Sequence, residues 1–197
     1  MPVYRSVAPE RITFFSKAFP YFSEIFMYYF VFRGDKVKYL RWMGVRVGEG
    51  CQILNSISGG YGAEPWLIEI GNRVTVTNGV NFLTHDGASR LVRDQIPDGS
   101  RYGNWFGRIL IHDECFIGIN SIILPNVEIG PNSIVGVGSV VNKDVPPNMV
   151  YAGVPAKAIS TLDEYMERYK QKMMPISANN RTEIREELTR YFWGESR

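Results

Sequence analysis

Aliphatic residues recur every six positions between Gly107 and Asp144: Ile111, Ile117, Ile123, Ile129, Val135 and Val141. Two positions ahead of each stands Ile109, Cys115, Ser121, Val127, Ser133 or Ser139, mostly small residues. Three positions after the aliphatic comes a turn former in most repeats, as at Asn120, Asn126, Asn132 and Gly138. Six is a multiple of the strand period of two and does not fit a helix of 3.6 residues per turn. Each six therefore predicts a short strand and a corner, since Asn and Gly accept the left-handed backbone that a tight corner needs. If three sixes close one three-sided coil, residues 18 apart stack at roughly the 4.8 Å strand spacing. Ile111 then lies over Ile129, Ile117 over Val135, and Ile123 over Val141. The pattern predicts a parallel β-helix, a solenoid whose repeats bury their apolar side only against one another.

The same rhythm begins earlier, at Val47 and Ile53. It is interrupted at Ser58-Gly59-Gly60-Tyr61-Gly62, where glycines predict an irregular loop. It resumes at Ile70, Val76 and Phe82 and then stops: Phe82 and Ile111 are 29 residues apart. The intervening residues 84–107 are polar, carry Arg90, Arg93 and Arg101 among three acids, and end near Tyr102 and Trp105. A long loop thrown out of a regular scaffold is more often functional than not. The chain thus divides into an aromatic-rich segment 1–45, a β-helix 46–159 with its excursion 84–107, and a C-terminal segment 160–197. Pro146, Pro147 and Pro155 end strand pairing. Thr161–Glu164 has the form of a capping box that starts a helix through about Met173. Asn180–Glu183 has the same form and starts a second, with Ile184, Leu188 and Tyr191 or Phe192 on one face. These helices cap the solenoid or bridge to a neighbouring subunit, and the sequence does not choose. Lys36 to Trp42 is expected to be a helix ended by Gly44.

Composition narrows the class. A net charge of +2, from 22 basic and 20 acidic residues, gives no sign of a nucleic-acid binder. Residues 12–32 are dense in aromatics, but the longest uncharged run there, Ile25 to Phe32, is eight residues, against about 20 for a spanning helix. No small-residue cleavage site follows it, so a signal peptide is not expected. This segment is expected to cap the open end of the first coil, the other reading being an interfacial anchor in peripheral contact with a membrane. Two cysteines, Cys51 and Cys115, make no disulfide framework, which points to a cytoplasmic setting. Cys115 falls in the small inward slot and reads as a reduced core thiol rather than a nucleophile.

Only two histidines are present. His112 follows a repeat aliphatic, points outward, and reads as a solvated surface residue. His85 lies where the second run of sixes breaks into the excursion, in Phe82-Leu83-Thr84-His85-Asp86-Gly87. A histidine there is a candidate general base, because imidazole takes a proton near neutral pH, or else a structural residue.

The hexapeptide run, with Phe-Leu-Thr-His-Asp at 82–86, Asn142-Lys143-Asp144-Val145-Pro146-Pro147 and Ala152-Gly153-Val154-Pro155-Ala156-Lys157, resembles the hexapeptide-repeat acyltransferases, in particular the branch acting on surface or capsular polysaccharides. The resemblance covers roughly residues 45–160. It implies a left-handed β-helix, a hand the spacing itself does not give, and a homotrimer that takes acetyl-CoA as co-substrate and no metal. It implies that His85 takes the proton of a sugar hydroxyl as that oxygen attacks the thioester, with no covalent acyl-enzyme. The backbone N–H of Ile119 would hold the oxyanion. Asp86 is the expected orienter of His85 or a sugar-binding group. Val137, Asn142, Lys143 and Lys157, together with Ile119, map to the coenzyme, the lysines meeting phosphates as point charges. On the acceptor side the candidates are Asn81, Arg93, Trp105 and Phe116. Phe116 stands where relatives carry Trp, and Trp105 is a substitute from the loop. The loop arginines are either a binding site for an acidic sugar or a solvated surface. Rival readings are an N-acetyltransferase on an amino sugar and a non-catalytic β-helix scaffold. A carbonic anhydrase on the same fold needs three histidines, more than this chain has.

Overall fold

Three-sided coils follow directly from the six-residue rhythm. The computed structural model describes residues 26–56, 60–97, 103–177 and 180–194. Along these residues the strands are β1 (Arg46–Val47), β2 (Gln52–Ile53), β3 (Ile68–Ile70), β4 (Thr75–Val76), β5 (Asn81–Phe82), β6 (His85–Asp86), β7 (Trp105–Phe106), β8 (Ile109–Ile111), β9 (Phe116–Ile117), β10 (Ile122–Ile123), β11 (Glu128–Ile129), β12 (Ile134–Val135), β13 (Val140–Val141), β14 (Met149–Ala152) and β15 (Lys157–Thr161). They assemble into three parallel faces. The first carries β1, β3, β8 and β11, the second β2, β4, β9, β12 and β14, and the third β5, β10 and β13. β15 closes the second face by pairing antiparallel to β14.

The expected register is found: Ile129 pairs with Ile111, Val135 with Ile117 and Val141 with Ile123. Below them Ile70, Val76 and Phe82 pair with Ile111, Ile117 and Ile123. These partners are 41 positions apart instead of 18, so the excursion adds 23 residues and leaves the register unchanged. In the two-residue strands the aliphatic position is buried and its neighbour is half-buried or exposed, as strand alternation dictates. The small inward slots are filled by Ser121, Ser133 and Ser139, all inaccessible. Their hydroxyls donate to the carbonyls of Gly136, Pro146 and Gly136, so no buried hydroxyl there is left unmatched. Cys115 occupies the same slot, donates to the Gly130 carbonyl, and has its thiol pushed up to about 11 by burial, which removes it as a nucleophile.

Corners use the residues the pattern named. Asn120, Asn126 and Asn132 have φ of 57°, 61° and 55°. At Gly118 a Cβ would sit 2.7 Å from the backbone of the next coil, so a side chain there would push two coils apart.

Helix α1 (Lys36–Met43) lies on the first coil. Asp35 accepts from the Lys38 N–H at its start, and Gly44 at φ 103° ends it. Tyr39 and Leu40 are fully buried, and Arg41 donates to the Val47 and Gly48 carbonyls. A π-helical turn, Met27–Val31, precedes it. The rest of the aromatic segment, residues 1–25, lies outside the described residues. Among the described residues no helix is long and apolar enough to cross a membrane.

The excursion was expected to be without regular structure, but it contains a two-strand ladder and helix α2 (Ser89–Gln95). Beyond the solenoid come α3 (Leu162–Lys170) and α4 (Arg181–Trp193). The first is shorter than expected and ends in a turn in which Met173 donates to the Tyr169 carbonyl. Asn180 caps α4 by accepting from the Thr182 and Glu183 N–H groups, the capping-box position expected of it. Residues 164–197 form a compact unit separate from 1–163.

Candidate active site

The excursion leaves the edge between the third and first faces, and its root is pinned. β6 and β7 pair antiparallel, His85 opposite Phe106 and Asp86 opposite Trp105. The Gly107 N–H donates to the Thr84 carbonyl at 2.9 Å, which closes the ladder where the chain returns to the solenoid. His85 is therefore held by regular backbone pairing. The Phe106 ring lies 5.7 Å from its imidazole, centroid to centroid.

A carboxylate faces the imidazole, and it belongs to Glu64. His85 Nδ1 is 2.9 Å from Glu64 Oε2, and the Thr84 hydroxyl donates to the same oxygen at 2.5 Å. Asp86 does not orient His85. Successive side chains of a strand point to opposite faces, so the neighbour of His85 on β6 cannot share its side. The Asp86 carboxylate instead accepts from the Ala88 N–H at 2.8 Å, and its carbonyl accepts from the Ser89 hydroxyl, which starts α2.

Glu64 arrives through the interruption in the first coil. Partners there are 23 positions apart, as at Val47 and Ile70, so the stretch after Leu54 carries five extra residues. That stretch ends at Gly62, at φ 64°, where a Cβ would meet the Thr84 hydroxyl at 2.5 Å and the Phe82 carbonyl at 3.0 Å. Both the left-handed backbone and the close approach require glycine. The following 3₁₀ turn, Pro65–Leu67, returns the chain to β3.

The electrostatics assign the tautomer. The Thr84 hydroxyl, and next the His85 ring, hold the Glu64 carboxyl below the usual carboxylate range. Glu64 is thus ionised at neutral pH and can only accept, so His85 Nδ1 carries the hydrogen and, in the neutral ring, Nε2 presents a lone pair. The side chains of His85 and Glu64 are 32% and 17% accessible, so the pair is sheltered on the Glu64 side and reachable on the other. A depressed carboxyl contributes stability above the ordinary range near pH ~4.3, lost as pH falls through its lower folded value. Thr84→Val removes the largest cause, so the Glu64 carboxyl should titrate at a higher pH in that variant. Carbon-detected NMR of the carboxyl reads this directly, and an unchanged titration would show that the hydroxyl is not the cause.

The remaining candidates fall on several parts of the prism. Asn142 and Lys143 follow β13 on the edge that carries His85, since Leu83 and Leu124 donate to the Ile123 and Val141 carbonyls in successive coils. Trp105 is exposed beside the same root. Ile119 and Val137 lie on the other edge of the third face, exposed and one coil apart, with Val154 beyond them in the Gly153–Ala156 turn. Lys157 follows that turn and opens β15. The backbone N–H groups of Ile119 and Val137 donate to no acceptor among the described residues. Asn81 faces outward on the third face between the two edges and donates to the Gly79 carbonyl; Phe116 is exposed on the second face. Arg90 is paired with Asp94 at 2.9 Å, and Arg93 donates to the Asn104 side-chain oxygen Oδ1 at 3.4 Å, so both are engaged within the excursion. Arg101 lies outside the described residues. His112, read as a solvated surface residue, is part-exposed on the first face, 2.6 Å from Glu128.

Comparison with known proteins gives consistent matches. The family model described as bacterial transferase hexapeptide (six repeats) matches residues 108–143. Protein CapG of Staphylococcus aureus is 49% identical over 126 residues, which cover 64% of this chain and 71% of that protein. The putative acetyltransferase YvoF of Bacillus subtilis is 45% identical over 107 residues, covering 54% of this chain and 55% of that protein. The galactoside O-acetyltransferase of Escherichia coli is 44% identical over 71 residues, covering 36% and 35%. The chain therefore spans about half or less of the latter two. A hexapeptide-repeat acetyltransferase of Vibrio cholerae, solved in complex with acetyl coenzyme A, matches with a TM-score of 0.51 at 24% identity over 66% of this chain and 78% of that one, a likeness of fold.

Proposed function

Because the chain belongs to the hexapeptide-repeat acyltransferase family, with its left-handed parallel β-helix and acetyltransferase character, we propose that it moves an acetyl group from acetyl-CoA to a sugar hydroxyl of a surface or capsular polysaccharide or its precursor. The observation that carries this reading is the Glu64–His85 pair, with its free Nε2, at the root of the excursion. Acetyl-CoA brings a thioester carbonyl, and the chain supplies the rest. His85 Nε2 takes the proton of the acceptor hydroxyl as its oxygen attacks, and Glu64 stabilises the imidazolium that forms. The Ile119 N–H, which has no acceptor among the described residues, holds the negative charge developing on the carbonyl oxygen. His85 then returns the proton to the departing sulfur. Ile119 and Val137 offer a groove of exposed apolar side chains and free N–H groups suited to an extended pantetheine arm. Lys157, and Lys143 from the neighbouring copy, supply positive charge for its phosphates.

A homotrimer goes with this assignment. His85 and Ile119 lie on opposite edges of the third face of one protomer, and a second copy is the simplest way to bring one of each together. Two free cysteines and a CoA co-substrate favour a cytoplasmic setting.

The test is thiol release from acetyl-CoA against a panel of neutral sugars, amino sugars and acidic glycan precursors. Release that depends on a hydroxyl acceptor is the expected result. Transfer only to sugar amines would replace this reading with N-acetylation, and no release with any acceptor would leave a scaffold.

A further inference from the structure

A cavity of about 240 Å³ opens on the first face. Its walls are Trp66, Leu67, Arg46, Glu69, Arg108 and Leu110, and its floor is formed by β3 and β8. Trp66, on the wall of this cavity, is 60% exposed. Two guanidinium groups face one carboxylate here. Arg46 is taken up by Glu69 at 3.1 Å, while Arg108 has no ion pair among the described residues. The cavity therefore combines an aromatic platform, aliphatic walls and a guanidinium with no ion pair among the described residues.

The position ties it to the chemistry. Trp66 is two residues beyond Glu64, and Arg108 is two residues beyond Phe106, the strand partner of His85. Two residues span at most roughly 7 Å of backbone. The two approaches are cross-linked at the pair itself: Thr84 donates to Glu64 from its hydroxyl and accepts from Gly107, the residue before Arg108, through its carbonyl. The backbone that lines the cavity is thus continuous with the backbone that fixes the base. The volume lies below the roughly 300–1,000 Å³ of drug-sized ligand sites, which suits one sugar ring and not a longer glycan.

We propose that this cavity is an acceptor subsite for a single anionic sugar residue, its ring lying on Trp66 and its carboxylate or phosphate on Arg108. This rests on the acetyl-transfer reading for its purpose and not for its test. Arginine forms paired, charge-assisted hydrogen bonds with both anion types, and a flat ring against an indole buries the apolar face of a sugar. Arg90 and Arg93, which the sequence offered for an acidic sugar, are committed to Asp94 and Asn104, whereas Arg108 at the solenoid wall has no ion pair among the described residues.

Equilibrium binding to the full chain, measured by NMR titration without acetyl-CoA, tests it with three probes: methyl glucuronide, glucose 1-phosphate and neutral methyl glucoside. An anionic probe should bind roughly 10-fold tighter than the neutral one, the gain of one charge-assisted contact, and Arg108→Gln should abolish that preference. Whichever anion ranks higher names the source of the charge. Trp66→Phe keeps a ring and should retain part of the affinity for all three probes. Equal affinity for charged and neutral probes, a preference that survives Arg108→Gln, or no binding of any probe would overturn the subsite. Because no acetyl group moves in this experiment, its outcome stands apart from the thiol-release assay: transfer without an Arg108-dependent anion preference would sink the subsite alone.

Discussion

Replacing His85 with alanine should lower acetyl transfer by roughly 10²–10⁴-fold while leaving acetyl-CoA binding as it is. The size follows from what is removed. Nδ1 of His85 is committed to Glu64, so Nε2 is the lone pair that this pair offers to an acceptor hydroxyl. Without it the hydroxyl must attack with its proton in place or lose it to water, a penalty of about 3–5 kcal/mol at the transition state. Because the loss belongs to the transition state, kcat and kcat/KM should fall together. The imidazole is partly exposed and pinned by backbone pairing between β6 and β7, so the substitution should leave the fold intact. A far-ultraviolet spectrum and an unfolding midpoint matching the parent would establish that. Transfer that persists at the parental rate would remove His85 from the mechanism, and the exposed His112–Glu128 pair would then need the same test.

Ile117→Ala should produce the second large effect, on stability. Ile117 is wholly inaccessible and stacked between Val76 below and Val135 above. Coils on both sides hold the backbone at the strand spacing, so the walls cannot collapse into the space left behind. Core Ile→Ala changes of this kind cost about 2–5 kcal/mol, the upper part of the range belonging to sites that relax least. A solenoid transmits the loss only to neighbouring coils, so the same truncation near an end should cost less. Ile53→Ala, in the first coil, is the comparison. Chemical unfolding with an unchanged denaturant slope and a midpoint lowered more by Ile117→Ala than by Ile53→Ala is the expected pattern. Equal shifts would mean that the solenoid unfolds as one block with no local weak point.

The parts of the molecule that could be read from the sequence are those governed by a period. The 18-residue stacking of Ile111, Ile117 and Ile123 follows from spacing alone, and the corner asparagines from backbone sterics. His85 stood out because it marks where the rhythm breaks. Glu64 left no such trace. It meets His85 across 21 residues, through a glycine-rich stretch with neither period nor charge pattern. The interruption and the excursion neighbour each other in adjacent coils, since the Gly60 carbonyl accepts from the Phe82 N–H, and only the closed coils bring them together. Asp86 looked like the partner because adjacency is visible in a sequence, whereas the alternation that turns it away becomes decisive only once β6 is known to be a strand. The inner structure of the excursion was hidden for a related reason. A two-residue ladder closing 21 positions has no repeat to announce it.

The excursion rejoins the solenoid without disturbing a single register, and this has a consequence for how such a chain can change. Lengthening a closed loop costs only about 0.6 kcal/mol per doubling, so segments of other lengths can be trialled at that corner with little loss of fold stability. The base stays with the β6–β7 ladder at the root and its carboxylate with the coil before it, while the residues beyond that ladder form an exchangeable cassette. New acceptors can then be acquired by swapping that cassette, with the acetyl-transfer chemistry inherited intact beneath it.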